Sequence, residues 1–270
     1  MKVSAIAFDL DDTMLLDDRT LSDFTVETLR RAAARGIRII PASGRARDSM
    51  RPFVDQLGCV DAYIACNGAE IWSPRHEVLR RFDFPDAVAQ DIIAYAREKQ
   101  CYAHTYFGSR FYYMIENEFA SVYSAASLLT GCYTPDLEAF IAGHPTPKVL
   151  VVDSEEKIAG MLTEARQRFE GRASITCSKP WFLEFNPPEA TKGNALAGCA
   201  DLLGFEVSAC LAFGDSLNDL SMLQATGFGV AVANAREDVR AQVRFTCGRN
   251  SEDGPARFIQ THVLTEDGCP

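Results

Sequence analysis

Asp9 and Asp11 stand two residues apart directly after the apolar run Ala5-Ile6-Ala7-Phe8, inside Phe8-Asp9-Leu10-Asp11-Asp12-Thr13. If the run is a strand, alternate side chains share a face, and two carboxylates converge at its C-terminal end. Like charges this close need a cation or a shared proton. Mg²⁺, held by carboxylates and a substrate phosphate, would supply the cation. The competing reading of such a turn is a set of helix caps in a solvated loop.

Three distant segments bear on that choice. Gly214-Asp215-Ser216-Leu217-Asn218-Asp219 follows a second apolar run, Ala209 to Phe213, and brings carboxylates to the same predicted edge. Ser216 or Asp215 could cap the next helix, but one cap uses one such residue and this run holds several. Ser43-Gly44-Arg45 follows Ile37 to Ile40, where a hydroxyl and backbone N–H groups beside a helix start could hold phosphate oxygens, or simply form a turn. Lys192 heads the stretch that leads into Ala209 to Phe213, so its ammonium could neutralise phosphoryl charge there; the alternative is a solvated surface lysine.

The elements that must position these groups read as follows. Ala5 to Phe8, Ile37 to Ile40, Tyr63 to Cys66, Ala209 to Phe213 and Gly229 to Val232 are short and apolar without clean alternation, as strands buried on both faces are. Helical stretches lie between them. One is capped by Ser22 and runs to Gly36, and another, Lys192 to Leu203, is stopped by Gly204. The alternation predicts an α/β fold with a doubly wound parallel sheet, Rossmann-like, whose carboxyl edge binds ligands.

Between about Phe82 and Phe185 the pattern changes to an inserted α+β unit. It has a hairpin turn at Gly108-Ser109-Arg110, helices over Asp86 to Lys99 and Glu155 to Phe169, and strands at Val149 to Val152, Ala173 to Thr176 and Phe182 to Phe185. Ser73-Pro74 and Asn186-Pro187-Pro188 read as its linkers. The expected division is a core of residues 1–81 and 187–270 with a cap of residues 82–186.

Composition narrows the function classes. A chain of 270 residues with 47% hydrophobic and 24% charged residues can bury a sizeable core, and no apolar run approaches a bilayer span. No membrane role is expected, and with no signal-like N-terminus the expected location is cytoplasmic. A net charge of −10 repels polyanions, which argues against nucleic acid as a partner. The nine cysteines are odd in number and scattered from Cys59 to Cys269, and read as reduced thiols, mostly buried, with Cys269 the exposed exception. The four histidines, His76, His104, His144 and His262, stand too far apart in sequence to suggest a zinc site.

Taken in order, Asp9-Leu10-Asp11-Asp12-Thr13, Ser43-Gly44-Arg45, Lys192 and Gly214-Asp215-Ser216-Leu217-Asn218-Asp219 resemble the four motifs of the haloacid dehalogenase superfamily. An insertion between the second and third motifs resembles the C2B-type cap of its Cof-type, subclass IIB phosphatases. Asn67-Gly68-Ala69, Glu184, Asn186 and Glu252-Asp253-Gly254 extend the likeness over almost the whole chain.

That resemblance implies a Mg²⁺-dependent phosphatase. Asp9 would attack phosphorus to give an aspartyl-phosphate, and Asp11 would protonate the leaving alcohol and then deprotonate water. Mg²⁺ would lie between the Asp9 carboxylate, the Asp11 backbone carbonyl and Asp215, with Asp219 completing the acidic site. Ser43, Gly44 and Asn218 would bind phosphate, and Lys192 would offset charge on Asp9 and the phosphoryl oxygens. Two departures stand out: Asp12 where many members carry Gly, and Ser43 where many carry Thr.

Substrate choice is expected to reside in the cap. Arg45, Asn67, Gly68, Glu184 and Asn186 are candidates for substrate contact, with His104 and Arg110 behind them. The aromatic run Tyr102, Tyr106, Phe107, Phe111, Tyr112 and Tyr113 could line a sugar or ring pocket, or pack the cap sheet against its helices. The expected partner is a small phosphorylated metabolite, sugar phosphates first and phosphorylated cofactors second, bound by a monomer or small homo-oligomer. The competing classes are a phosphometabolite-binding regulatory protein, which would bind without turnover, and a sugar phosphomutase, which would need a bisphosphate activator and release no phosphate.

Overall fold

The computed structural model describes residues 1–265. Cys269 lies outside them, as does most of the tail expected to fray. Strand β1 (Ala5–Phe8) is wholly buried and ends in a tight turn, Leu10–Met14, before helix α1 (Asp23–Ala34). Ser22 caps α1 as expected, its hydroxyl accepting from the Thr25 N–H at 3.0 Å. β2 (Arg38–Pro41) and α2 (Arg47–Leu57) follow.

Next come β3 (Tyr63–Ala65), β4 (Glu70–Trp72) and β5 (Val78–Arg81), an antiparallel sheet of their own. Tyr63 to Cys66 was expected in the main sheet. It lies beside that sheet, joined by the parallel bridge Ala42–Ile64, and its regular ladder is with β4, which the turn at Cys66–Gly68 folds back onto it. Ser73-Pro74 is accordingly a hairpin turn between β4 and β5 and not a linker.

The inserted unit comprises α3 (Asp86–Glu98), β6 (Tyr102–Phe107), β7 (Arg110–Tyr113), α4 (Glu118–Ser127), β8 (Thr130–Tyr133), α5 (Leu137–Ile141), β9 (Val149–Val152), α6 (Glu155–Arg168), β10 (Ser174–Thr176) and β11 (Phe182–Asn186). Its strands form a six-stranded sheet in the order β10-β11-β9-β6-β7-β8. Val149, Val151, Leu183 and Phe185 pack one face against Ile92, Tyr95, Ile158 and Met161 of α3 and α6. By the two-residue period, Lys148, Leu150, Val152, Phe182 and Glu184 belong to the other face. Helix α4 lies on that second face. It has no signature in the sequence because it buries only Ala120 and Ser127.

The chain then returns through α7 (Lys192–Leu203), β12 (Cys210–Gly214), α8 (Leu220–Ala225), β13 (Phe228–Ala231), α9 (Glu237–Arg240), β14 (Phe245–Thr246) and α10 (Gly254–His262). The main sheet is parallel throughout, in the order β14-β13-β12-β1-β2. Phe8 pairs with Phe213 on one side and Pro41 on the other. That register sets the residues after each strand, Asp9, Asp215 and Ser43, along one carboxyl edge.

One close approach fixes the start of α7. Gly68 has φ +109°, and a Cβ there would lie 2.3 Å from the carbonyl oxygen of Thr191, the residue that caps Lys192's helix. Gly68→Ala is therefore expected to destabilise the fold by more than about 1 kcal/mol, read from the midpoint of urea unfolding.

Candidate active site

The site begins with a buried ammonium. Lys192 is fully buried and donates to Asp9 Oδ1 at 2.5 Å and to Asp219 Oδ1 at 2.6 Å. Asp219 Oδ2 in turn accepts from the N–H groups of Asp215 and Ser216, at 2.9 and 3.0 Å, and closes a capping box with Ser216. The capping reading, made for Ser216 or Asp215, holds for Ser216 and not for Asp215, and it coexists with the charge cluster. Gly214 is required here, since a Cβ would meet the Asp219 Cβ at 2.5 Å.

Asp215 is held by two hydroxyls, Thr13 Oγ1 at 2.9 Å and Ser216 Oγ at 2.6 Å. Carboxylate oxygens of Asp9, Asp215 and Asp219 lie within 4.8 Å of one another, all from buried residues. Burial pushes the Asp215 carboxyl up to about 7, with the Asp219 charge adding to the effect. Burial also raises Asp9 well above the usual carboxylate range, against the pull of Lys192 and with Asp219 and Asp215 reinforcing it. For Lys192, burial opposes the charged form, but Asp219 and Asp9 outweigh it and hold its pKa above the usual lysine value.

Three buried carboxylates facing one ammonium leave the cluster short of positive charge. Its donors are hard oxygens, which is the donor set Mg²⁺ takes. The residues therefore fit that ion. Asp9 and Asp215 line the adjoining cavity, whereas both oxygens of Asp219 already serve Lys192 and the backbone.

Asp11 departs from expectation. Arg45 grips it with two bonds of 2.7 Å, Nε to Oδ2 and Nη2 to Oδ1, while Nη1 reaches Ser49 at 2.9 Å. Burial alone would raise the Asp11 carboxyl, but the Arg45 hydrogen bonds and charge prevail and lower it. An acid role needs a raised pKa, so Asp11 stands here in the form of a base, and proton donation requires Arg45 to let go.

A cavity of about 550 Å³ opens between the sheet edge and the cap. Asp9, Asp11, Ser43, Gly44 and Arg45 line it from the core, as do Asp215 and Asn218. Glu184 lines it from the cap. Lys192, Asn67, Gly68, Asn186 and Asp219 lie behind this wall. Asn67 is a buried bridge: its Nδ2 donates to Glu184 and to Asn186 Oδ1, at 3.3 and 3.1 Å, and its Oδ1 accepts from Asn218 at 3.0 Å. Gly68 abuts Thr191, and Asn186 Nδ2 donates to the Cys66 and Pro147 carbonyls.

His104 and Arg110 are misplaced for substrate contact. His104 is fully buried against Tyr106, and Arg110 sits beside the hairpin tip, reaching Cys132. The aromatic run packs the cap and lines no part of the cavity. Glu252-Asp253-Gly254 is structural, Asp253 accepting from Ser22 and Thr25 of α1.

Sequence reasoning missed Lys148, Lys179, Thr13 and the wall made by α4. Lys148 is 2% exposed, pairs with Glu184 and donates to the Gly44 carbonyl at 3.0 Å, joining cap to phosphate loop. Its signal was available: one lysine opening the apolar run Val149 to Val152 demands a buried partner. Lys179 pairs with Asp12, so the aspartate that stands where many members carry Gly binds the cap.

The chain belongs to the haloacid dehalogenase-like hydrolases, whose family model matches residues 6–259. In fold it resembles the subclass IIB sugar phosphatase BT4131, with a TM-score of 0.84 at 21% identity, covering 96% of this chain and 98% of that one. It is 30% identical to the HMP-PP phosphatase of Enterobacter sp. over 98% of this chain and 97% of that one. It is 27% identical to the 5-amino-6-(5-phospho-D-ribitylamino)uracil phosphatase YcsE of Bacillus subtilis, over 97% and 96%. A haloacid dehalogenase-like hydrolase from Bacteroides thetaiotaomicron superposes with a TM-score of 0.85 at 28% identity, covering 96% of this chain and 99% of its own.

Breaking the Lys148–Glu184 pair should separate structural from chemical roles. Lys148→Ala, which strands a buried carboxylate, is expected to cost about 3–5 kcal/mol of stability. The double variant Lys148→Met/Glu184→Leu should recover a large part of that loss in denaturant titrations.

Proposed function

We propose that this protein is a Mg²⁺-dependent phosphatase of small phosphorylated metabolites and works through an aspartyl-phosphate at Asp9. The observation that carries the reading is the contact of the buried Lys192 ammonium with Asp9, at a sheet edge where Asp215, Asp11 and Ser43 meet.

Asp9 is the nucleophile, pinned by Lys192 through Oδ1 so that its other oxygen is available to the cavity. Lys192 stabilises negative charge that moves between Asp9 and the phosphoryl oxygens. The Ser43 hydroxyl, which accepts from the Arg45 N–H at 3.2 Å, still has its own proton to donate to a phosphate oxygen. The Gly44 N–H and Asn218 complete the phosphate cradle. Asp9 and Asp215 would hold Mg²⁺ with the Asp11 carbonyl, and Asp219 sits behind them. When bound, the ion neutralises charge on the transferring phosphoryl group.

Once Arg45 releases it, Asp11 takes a proton from solvent and gives it to the leaving alcohol, and in the second step it takes one from water. Because Arg45 contacts the carbonyl of Ala126 in α4, the state of that grip is sensitive to the cap. We assign residues 82–186 to a cap that closes over the edge and excludes water. Leaving groups from sugars to phosphorylated cofactors are in scope, in keeping with relatives named for HMP-PP and for a phosphoribitylamino-uracil. A cytoplasmic location and a monomer or small homo-oligomer belong to the same proposal. Among the described residues no helix is long and apolar enough to cross a membrane.

Hydrolysis of p-nitrophenyl phosphate tests this reading. Turnover should require Mg²⁺, vanish with EDTA and return on adding the ion. Asp9→Asn should abolish turnover, and Asp11→Asn should lower kcat by about 10²–10⁴-fold. Near-wild-type turnover by Asp9→Asn would refute the nucleophile assignment.

A further inference from the structure

The cavity wall is polar at its inner end and largely apolar farther out, with charged groups at the exposed rim. On the cap face that overlooks Asp9, Lys148 and Glu184 stand next to the phosphate loop and pair with each other. One step outward along the same two strands the lining becomes Leu150, Val152 and Phe182, and beyond them Trp181. Helix α4 adds Phe119 and Val122 to this outer half. Trp181 is 46% and Val122 64% exposed, large apolar side chains left bare at the mouth of a site.

Polar groups that could answer hydroxyls are already committed. Lys148 is taken by Glu184 and the Gly44 carbonyl, and the Tyr123 hydroxyl by Tyr106. The charged residues that complete the outer lining, Asp17, Arg19 and Glu118, are exposed. A polyol entering here would find few buried partners to replace its lost water contacts, chiefly the already hydrated charges of the rim, which is unfavourable. A flat ring would cover bare apolar surface and meet aromatic faces, which is favourable.

We propose that this outer half, formed by Trp181, Phe182, Phe119, Val122 and Leu150, is a leaving-group subsite for a planar aromatic or heteroaromatic ring. The physiological substrate is then the phosphate ester of a ring-bearing alcohol rather than of a sugar or polyol. The inference rests on the phosphatase reading above and reverses the order of substrates expected from sequence.

The test compares kcat/KM for pyridoxal 5′-phosphate and FMN with that for glucose 6-phosphate and ribitol 5-phosphate, in wild type, Trp181→Ala, Trp181→Phe and Val122→Ser. Wild type should favour the ring-bearing pair by about tenfold or more. Trp181→Ala and Val122→Ser should shrink that ratio severalfold, and Trp181→Phe should retain most of it. As a second readout, the Asp9→Asn protein should quench FMN fluorescence on binding, and Asp9→Asn/Trp181→Ala should quench it much less. Equal or better turnover of the polyol phosphates, or an equal loss for both classes in Trp181→Ala, would overturn the subsite. If no phosphate ester at all is hydrolysed, p-nitrophenyl phosphate included, the phosphatase reading fails instead. The Trp181-dependent quenching of FMN then still decides whether the ring site exists.

Discussion

Lys192 carries a full charge where no water reaches it, and its position is possible only because Asp9 and Asp219 share it. An isolated ammonium there would be strongly unfavourable, and removing one partner of such a cluster costs several kcal/mol. Much of the surrounding fold follows from holding this contact. Thr191 caps α7 so that Lys192 heads it, and Gly68 lets the neighbouring turn approach Thr191. Gly214 admits the Asp219 side chain, and the parallel pairing of β1 with β12 brings Asp9 level with it. The same contact leaves Asp9 and Asp215 facing the cavity with less positive charge than they need.

A second buried network ties the cap to this arrangement. Lys148 and Glu184 of the cap reach Gly44, Asn67 and, through Asn67, Asn218 of the core. Such a network is specific when every member is satisfied and costly when one is lost. The Lys179–Asp12 pair adds a contact at the opposite side of the mouth. Cap and core therefore meet along a polar seam close to the phosphate end, while the apolar wall lies farther out.

Three of the motifs were legible because each follows a short apolar strand that ends at one sheet edge, and the fourth, Lys192, because it heads the helix leading into such a strand; the structure brings Asp9, Ser43, Lys192 and Asp215 to that edge. The hairpin at Gly108-Ser109 and the helix from Ser22 were legible from turn and cap chemistry. Tyr63 to Cys66 misled because an apolar run does not say which sheet takes its ladder. The wall built by α4 left no signature, since a helix that turns Phe119 and Val122 toward a cavity has no buried stripe to betray it. The hold of Arg45 on Asp11 joins residues 34 apart in sequence and sets a protonation state that no local pattern encodes.

The central claim is that the phosphoryl group passes through Asp9. Acid quenching during turnover, followed by peptide mass spectrometry, reads this directly. The phosphoryl group should be found on the peptide that holds Asp9 in the wild type, and on no residue of the Asp9→Asn protein. Phosphate release that continues with no such adduct, or an adduct on another residue, would contradict the account.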